Sequence, residues 1–295
     1  MKNISDIDCS IIIPHYNQAY FLQKCLKALP QQDFQGNTEV IVIDNGSADF
    51  NIQKWQKDHP KVLWLRNNEK KNPYTSRNLG AKHAKGKYLA FIDAKSYPTS
   101  SWLRNMITMR NEEHPIIAGR YKLYYNSDAL KDKVYGMLYL NNEKNVRKGY
   151  GITTGNLLVD RKYFQNVGPF NDELNSGNDI EWSLRALKFG HKIEYAQEAI
   201  ISYPAQSWEE LTKSVNKYAH GVARIDRKGK WAIGSFLPLR RSTFNDHLTH
   251  RSLNHLSACD RAMLFILIWL MKVKFAVALS KSRKKLEPLS LNSSK

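Results

Sequence analysis

Acidic residues are scarce in this 295-residue chain: 27 Asp and Glu stand against 45 Lys and Arg, for a formal net charge of +18. So large an excess calls for an anionic partner, whether nucleic acid, anionic lipid or a phosphorylated ligand. Cysteine is scarcer still. Cys9, Cys25 and Cys259 are odd in number and lack metal-ligand spacing, which excludes a disulfide framework and fits a reducing compartment. Glycine-rich phosphate loops of the Walker or dinucleotide type are missing after the first predicted strand, where Pro14-His15-Tyr16-Asn17 stands instead. Residues Met1–Ser10 carry Asp6 and Asp8 and no apolar stretch, so no signal peptide is expected. No internal repeat is visible. What remains is ordinary globular composition, with 42% hydrophobic and 24% charged residues.

The charge is unevenly placed. Residues 211–295 hold 17 Lys/Arg against 4 Asp/Glu, whereas residues 1–210 hold 28 against 23. The sequence therefore predicts a near-neutral domain over residues 1–230 and a basic, apolar helical extension over residues 231–295.

Within the first part, short apolar β-branched runs alternate with helical patterns. CSIIIP at Cys9–Pro14, EVIVI at Glu39–Ile43, VLWL at Val62–Leu65 and YLAFI at Tyr88–Ile92 read as buried strands. Helices are expected between them, the first capped by Asn17 and another over Thr75–Ala84. Such alternation predicts an α/β fold with a mostly parallel central sheet flanked by helices. Ligands in that architecture bind at the carboxyl ends of the strands, here Pro14–Asn17, Asp44–Ser47, Arg66–Tyr74 and Asp93–Pro98. Farther on, Ile116–Tyr125 and Thr154–Val159 read as strands, 141–149 as a mobile loop, and Asp179–Phe189 and Trp208–Val222 as helices.

Taken singly, the polar residues at these ends admit two readings. Tyr16 stacks on a base, or Pro14 and Asn17 merely end a strand. Asp44 accepts from the N–H of a pyrimidine ring, or shapes a turn with Gly46 and Ser47. Arg77 pairs with a phosphate, or is one more solvated helical Arg. Asp179 is a base, or an N-terminal helix residue favoured by the dipole.

The combination is more specific than its parts. SIIIPHYN, VIDNGSAD, SRNLGAKHAKGKYLAFIDAKSYPTSSWL, TGNLLV and NDIEWSLRALKFG follow one another in order. From about Ser10 to about Arg224 the chain resembles the inverting family 2 glycosyltransferases. The resemblance implies the GT-A nucleotide-sugar-binding fold and a donor site built from Pro14, Tyr16, Asn17, Asp44, Arg77 and Asp93. Asn78 and Gly80 belong to the motif of Arg77. It further implies an acceptor side lined by Gly155 and Asn156, and Asp179 as the general base, with Glu181 a weaker candidate. The implied partners are a nucleotide-sugar donor, most simply a UDP-sugar, and a glycan or lipid-linked acceptor.

Two departures qualify this. The usual Asp-Ala-Asp is Asp93-Ala94-Lys95 here, with Pro98 and Trp102 keeping their offsets. The missing acid ordinarily holds Mn²⁺ or Mg²⁺, leaving Asp93 as the only expected ligand, and a Lys ammonium repels such an ion. Either Lys95 supplies the positive charge itself, giving metal-independent transfer, or the chain is a non-catalytic nucleotide-sugar or glycan-binding protein on a degenerate fold. Asn178 likewise replaces the acid before Asp179. The second departure is the tail: Ala262–Met271 is ten uncharged residues, short of the ~20 a membrane span needs. An interfacial helix, with Lys281, Arg283, Lys284 and Lys285 meeting anionic headgroups, is expected; a buried helix or a dimer contact is the alternative. The location that follows is cytoplasmic and peripheral to the membrane. Nucleic acid is not expected as a partner, since charge alone suggests it and no recognition motif is present. Tyr218, His220 and Arg224 are further candidates on a lid helix.

Overall fold

A computed structural model describes residues 7–48, 50–68, 72–225 and 256–285. It divides into two units: Met1–Tyr124 with Leu140–Glu173 and Asn178–Pro204, and Tyr125–Tyr139 with Leu174–Gly177 and Ala205–Lys295. The expected boundary at residue 230 lies outside the described residues.

The first unit opens with β1 (Cys9–His15), α1 (Ala19–Ala28), β2 (Thr38–Asp44), α2 (Ile52–Asp58), β3 (Val62–Arg66), α3 (Pro73–His83) and β4 (Tyr88–Ile92). β5 (Tyr97–Pro98), α4 (Trp102–Met109) and β6 (Ile116–Tyr124) follow. The sheet order is β3-β2-β1-β4-β7-β6-β8-β5, with β7 (Asn156–Asp160) and β8 (Ile193–Pro204) supplied later in the chain. It is parallel through β3, β2, β1 and β4, then mixed: β7 is antiparallel to both β4 and β6, β8 is parallel to β6, and β5 is antiparallel to β8. β1 is buried on both faces along its whole length, which is why it reads as an unbroken apolar run. Its alternate residues feed two cores. Ile11 and Ile13 join Leu22 and Leu26 of α1 and Trp102 of α4, while Ile12 joins Ile43, Phe91 and Trp182. β4 lies on the side of β1 away from β2 and runs parallel to it, so the loops after β2, β1 and β4 leave from the same edge of the sheet.

Helices α7 (Arg161–Val167) and α8 (Asn178–Lys188) complete the unit. The expected loop over 141–149 is instead a helix, α6 (Asn142–Arg147). Its composition is polar, but Asn141 caps it by accepting from the Lys144 N–H at 2.8 Å, and Glu143 and Arg147 suit its two ends. Asn17 does not cap α1. It sits at φ 50°, its N–H donating to Ser47 Oγ at 2.8 Å and its Oδ1 accepting from the Ala48 N–H. The side chain thus latches the loops after β1 and β2 together.

The second unit contains α5 (Leu130–Leu138), α9 (Trp208–Ile225) and α10 (Ala258–Lys285), which pack on one another. Asp132 of α5 accepts from the Trp208 N–H at 2.7 Å, and Lys131 pairs with Glu209 at 2.6 Å. Gly221 of α9 allows the Leu174–Gly177 segment to come close, since a Cβ there would lie 2.3 Å from the Ser176 carbonyl oxygen.

Candidate active site

The loops at the ends of β1, β2 and β4 bring the first-unit candidates together. Tyr16 is 45% exposed, so its ring is available for stacking. Asp44 is fully buried: Oδ1 accepts from the Ser47 N–H at 3.2 Å, and Oδ2 lies 3.6 Å from Arg66 Nε without a hydrogen bond. Asp44 thus shapes the turn with one oxygen, as one of its two readings expects, and turns the other toward Arg66. His15, opposite Asp44 in register, is buried with neither ring nitrogen hydrogen-bonded. Burial outweighs the pull of Asp44 and drives its pKa down to about 4.

At the centre stand Arg77 and Asp93. Arg77 projects from α3 with a side chain only 5% exposed, and its Nη2 lies 2.5 Å from Asp93 Oδ1. Its guanidinium also covers the Tyr74 ring, 4.9 Å from the centroid. Burial works against this cation, but Asp93 and Asp179 outweigh it and raise its pKa. The other Asp93 oxygen, Oδ2, accepts from the Tyr203 hydroxyl at 2.8 Å. Lys95 lies across the face of that same ring, with Nζ 4.7 Å from its centroid.

Asp179 stands in the first turn of α8. Burial raises its pKa above the ordinary carboxylate value, while Arg77, the Ile180 N–H, the Tyr74 hydroxyl and the backbone of Thr154 pull it partly back. Lys95, Tyr203, Asp93, Arg77, Tyr74 and Asp179 form one continuous run of contacts. Tyr74 and Tyr203 carry no motif, and sequence reasoning gave neither a role. Tyr203 is 110 positions from Asp93, so only the sheet brings it there.

Other candidates are scaffold. Asn78 exchanges two hydrogen bonds with the main chain of Phe170, 2.8 and 2.9 Å, and Gly80 lets α3 settle onto Ile12 and Ile43. Asn156, expected on the acceptor side, has no exposed surface. Its Oδ1 accepts from Trp102 Nε1 at 2.8 Å, and its Nδ2 donates to the carbonyls of Arg120 and Ala199. With its polar atoms committed internally, this side chain holds the sheet together and has nothing to offer an acceptor. Gly155 does border the site, because a Cβ there would lie 2.9 Å from Asp93 Oδ2. Asn178 donates to the Asn171 carbonyl, a bond an ionised acid cannot make, which accounts for the amide at this position. Glu181 is spent on Arg185 at 3.0 Å. Tyr218, His220 and Arg224 belong to α9 in the second unit, where Tyr218 packs on Tyr139 and accepts from Gln206.

Asp93 has one oxygen on a guanidinium and the other on a hydroxyl, Lys95 lies over the ring that carries that hydroxyl, and no three His, Cys, Asp or Glu converge among the described residues. What the arrangement offers is a carboxylate of raised basicity beside the Arg77 cation, with the Lys95 ammonium farther along the same run. It can take a proton and steady a developing anion.

Residues 10–168 match the model of the family described as Glycosyl transferase family 2. The glycosyltransferase AglE of Haloferax volcanii is 28% identical over 246 residues, covering 78% of this chain and 81% of that protein. The GalNAc(5)-diNAcBac-PP-undecaprenol beta-1,3-glucosyltransferase of Campylobacter jejuni is 31% identical over 225 residues, 74% of this chain and 64% of that one. Among solved structures, the mannosyltransferase PcManGT of Pyrobaculum calidifontis, in complex with GDP-Man and Mn²⁺, superposes with a TM-score of 0.66 at 15% identity, covering 96% and 88% of the two chains.

Proposed function

This chain belongs to glycosyl transferase family 2, and on that premise we propose that it moves a sugar, with inversion and without a divalent ion, from a UDP-sugar to a hydroxyl of a lipid-linked acceptor. The observation that carries this reading is the run from Lys95 through Asp93 and Arg77 to Asp179.

In the transfer, the acceptor hydroxyl attacks the anomeric carbon as the bond to the diphosphate breaks on the opposite face. Asp179 takes the hydroxyl proton, and its raised pKa makes it a stronger base than an exposed carboxylate. The leaving diphosphate keeps the electron pair, and its charge is met by Lys95 and Arg77 in place of a metal. Tyr203 serves as a positioning residue, holding Lys95 with its face and Asp93 with its hydroxyl.

The choice of UDP over GDP is supported by Asp44. Oδ1 is occupied by the turn, which leaves one oxygen. A single acceptor matches the single ring N–H of uracil, whereas guanine offers a paired N1–H and N2–H₂. The base displaces the half-exposed Arg66 from Oδ2. The lipid-linked acceptor is named in relatives and suits a protein peripheral to the cytoplasmic face of an anionic membrane.

A thermal-shift panel of UDP-, GDP- and dTDP-sugars, each with EDTA or Mn²⁺, tests base and metal together. Nucleotide release in the presence of acceptor then tests turnover. Stabilisation by UDP-sugars in EDTA, followed by release, is expected. Binding without release in either condition would make the chain a nucleotide-sugar-binding protein instead.

A further inference from the structure

Helix α10 is 28 residues long and apolar around most of its circumference. One stripe, Leu264, Ile268, Met271, Phe275, Ala278 and Leu279, is buried, and the helix packs on α9 and α5. A helix of a soluble protein ordinarily turns polar residues outward from such a stripe. Here the opposite face carries Met263, Ile266, Trp269, Leu270 and Val277, each between 38 and 49% exposed. Met263, Ile266, Trp269 and Leu270 lie within two turns of one another, with Val277 farther along beyond the exposed Lys274, and exposed apolar surface of this kind marks a binding face.

Charge selects the occupant. Lys274, Lys281 and Lys284 are exposed along the same helix. Its one acid, Asp260, is at the first turn, accepting from Ser257 Oγ at 2.7 Å. From Arg261 to Lys285 the helix therefore carries only positive charge. Exposed aliphatic side chains, a Trp and lysines on the same face, whose stems can lie along apolar surface while the ammonium reaches the headgroups, are the features by which a helix seats at an anionic bilayer.

Length and composition would let α10 cross a membrane, but its packing argues for lying flat. The inward stripe is held against α9, whose sequence includes Glu209, Glu210, Lys213 and Lys217. A crossing helix would have to drag those charges into hydrocarbon or give up its packing.

We propose that the outward face of α10 is a docking surface for an anionic lipid bilayer, with the helix axis parallel to the membrane plane. The proposal rests on the peripheral-membrane reading and names the surface that serves it. Co-sedimentation of the full chain with vesicles tests it. Binding is expected to phosphatidylcholine vesicles containing about one-third phosphatidylglycerol, and to be far weaker with phosphatidylcholine alone. Ile266→Asp with Leu270→Asp should abolish it. Replacing Lys274, Lys281 and Lys284 with Gln should weaken it about a hundredfold. All these positions are outward-facing, so the circular-dichroism melt should not change.

Orientation is read separately. In a Cys259→Ser background, Met263→Cys and Val277→Cys place fluorophores about 21 Å apart along the axis. Lipid-borne quenchers should report the same shallow depth for both; a difference approaching that spacing would overturn the flat geometry. Vesicle binding that survives the double Asp variant would overturn the surface assignment. So would a solution dimer that the double variant dissolves while lipid binding is absent, since the face would then belong to a second copy. None of these assays needs turnover, so a failure of the glycosyl-transfer reading appears only in nucleotide release.

Discussion

Lys95 is the position at which the proposed chemistry is most exposed to refutation. An ammonium about 4 Å from a diphosphate charge is worth roughly 4 kcal/mol at the effective dielectric of a protein surface. Lys95 is only half buried, so solvent screening leaves about 2 kcal/mol, a rate factor of about 30. Lys95→Ala should therefore lower kcat/KM about 30-fold in EDTA. Fold stability should move little, because the substitution removes a single half-exposed cation–π pair with Tyr203, worth under about 1 kcal/mol. Lys95→Asp reverses the charge and sets a second carboxylate near Asp93. Metal-free turnover should then fall at least a thousandfold, and Mn²⁺ should restore part of it. The assay is nucleotide release with the donor found in the thermal-shift panel, run in EDTA and in Mn²⁺ for the wild type and both variants. Wild-type activity that vanishes in EDTA and returns with Mn²⁺ would refute metal-free transfer, and an unaltered Lys95→Ala would refute the role of the ammonium.

Asp179→Asn should cost 10²- to 10⁴-fold in kcat while nucleotide binding stays within a few-fold, checked by titration. Because the folded pKa of Asp179 lies above its unfolded value, the group favours the fold at low pH and loses that contribution as pH rises through the folded pKa. The variant should accordingly be at least as stable as the wild type at pH 7, and a lower Tm would contradict a carboxylate strained by burial. Asn156→Ala strands the Trp102 indole N–H and the carbonyls of Arg120 and Ala199. A loss of about 3 kcal/mol in denaturant unfolding is expected, with normal turnover per folded molecule; normal stability with lost turnover would restore Asn156 to the acceptor side. His15 is held neutral down to about pH 4, whereas the unfolded chain protonates near 6.5. Stability should decline by about 3 kcal/mol between those values. His15→Phe, which gives up no hydrogen bond, should flatten that decline in pH-dependent melts.

The sequence by itself determined the four parallel strands, because a strand buried on both faces must be apolar throughout and the periodicity shows it. The ordered motifs also singled out Arg77, Asp93, Lys95 and Asp179, each at a strand end or in a helix turn, and the fold brings Arg77 against Asp93 and near Asp179. Local polarity misled sequence reasoning at 141–149, where a capped, charged helix looks like a loop, and at Asn17, whose side chain reaches across to another loop instead of capping its own helix. Only the tertiary structure decided that Asn156 faces the sheet interior and that Asn178 must donate a hydrogen bond. It alone brought Tyr203 beneath Lys95 and against Asp93. Side-chain direction and long-range pairing depend on how strands 110 residues apart are registered, and one chain's pattern of polarity records which residues avoid water but not which of them meet.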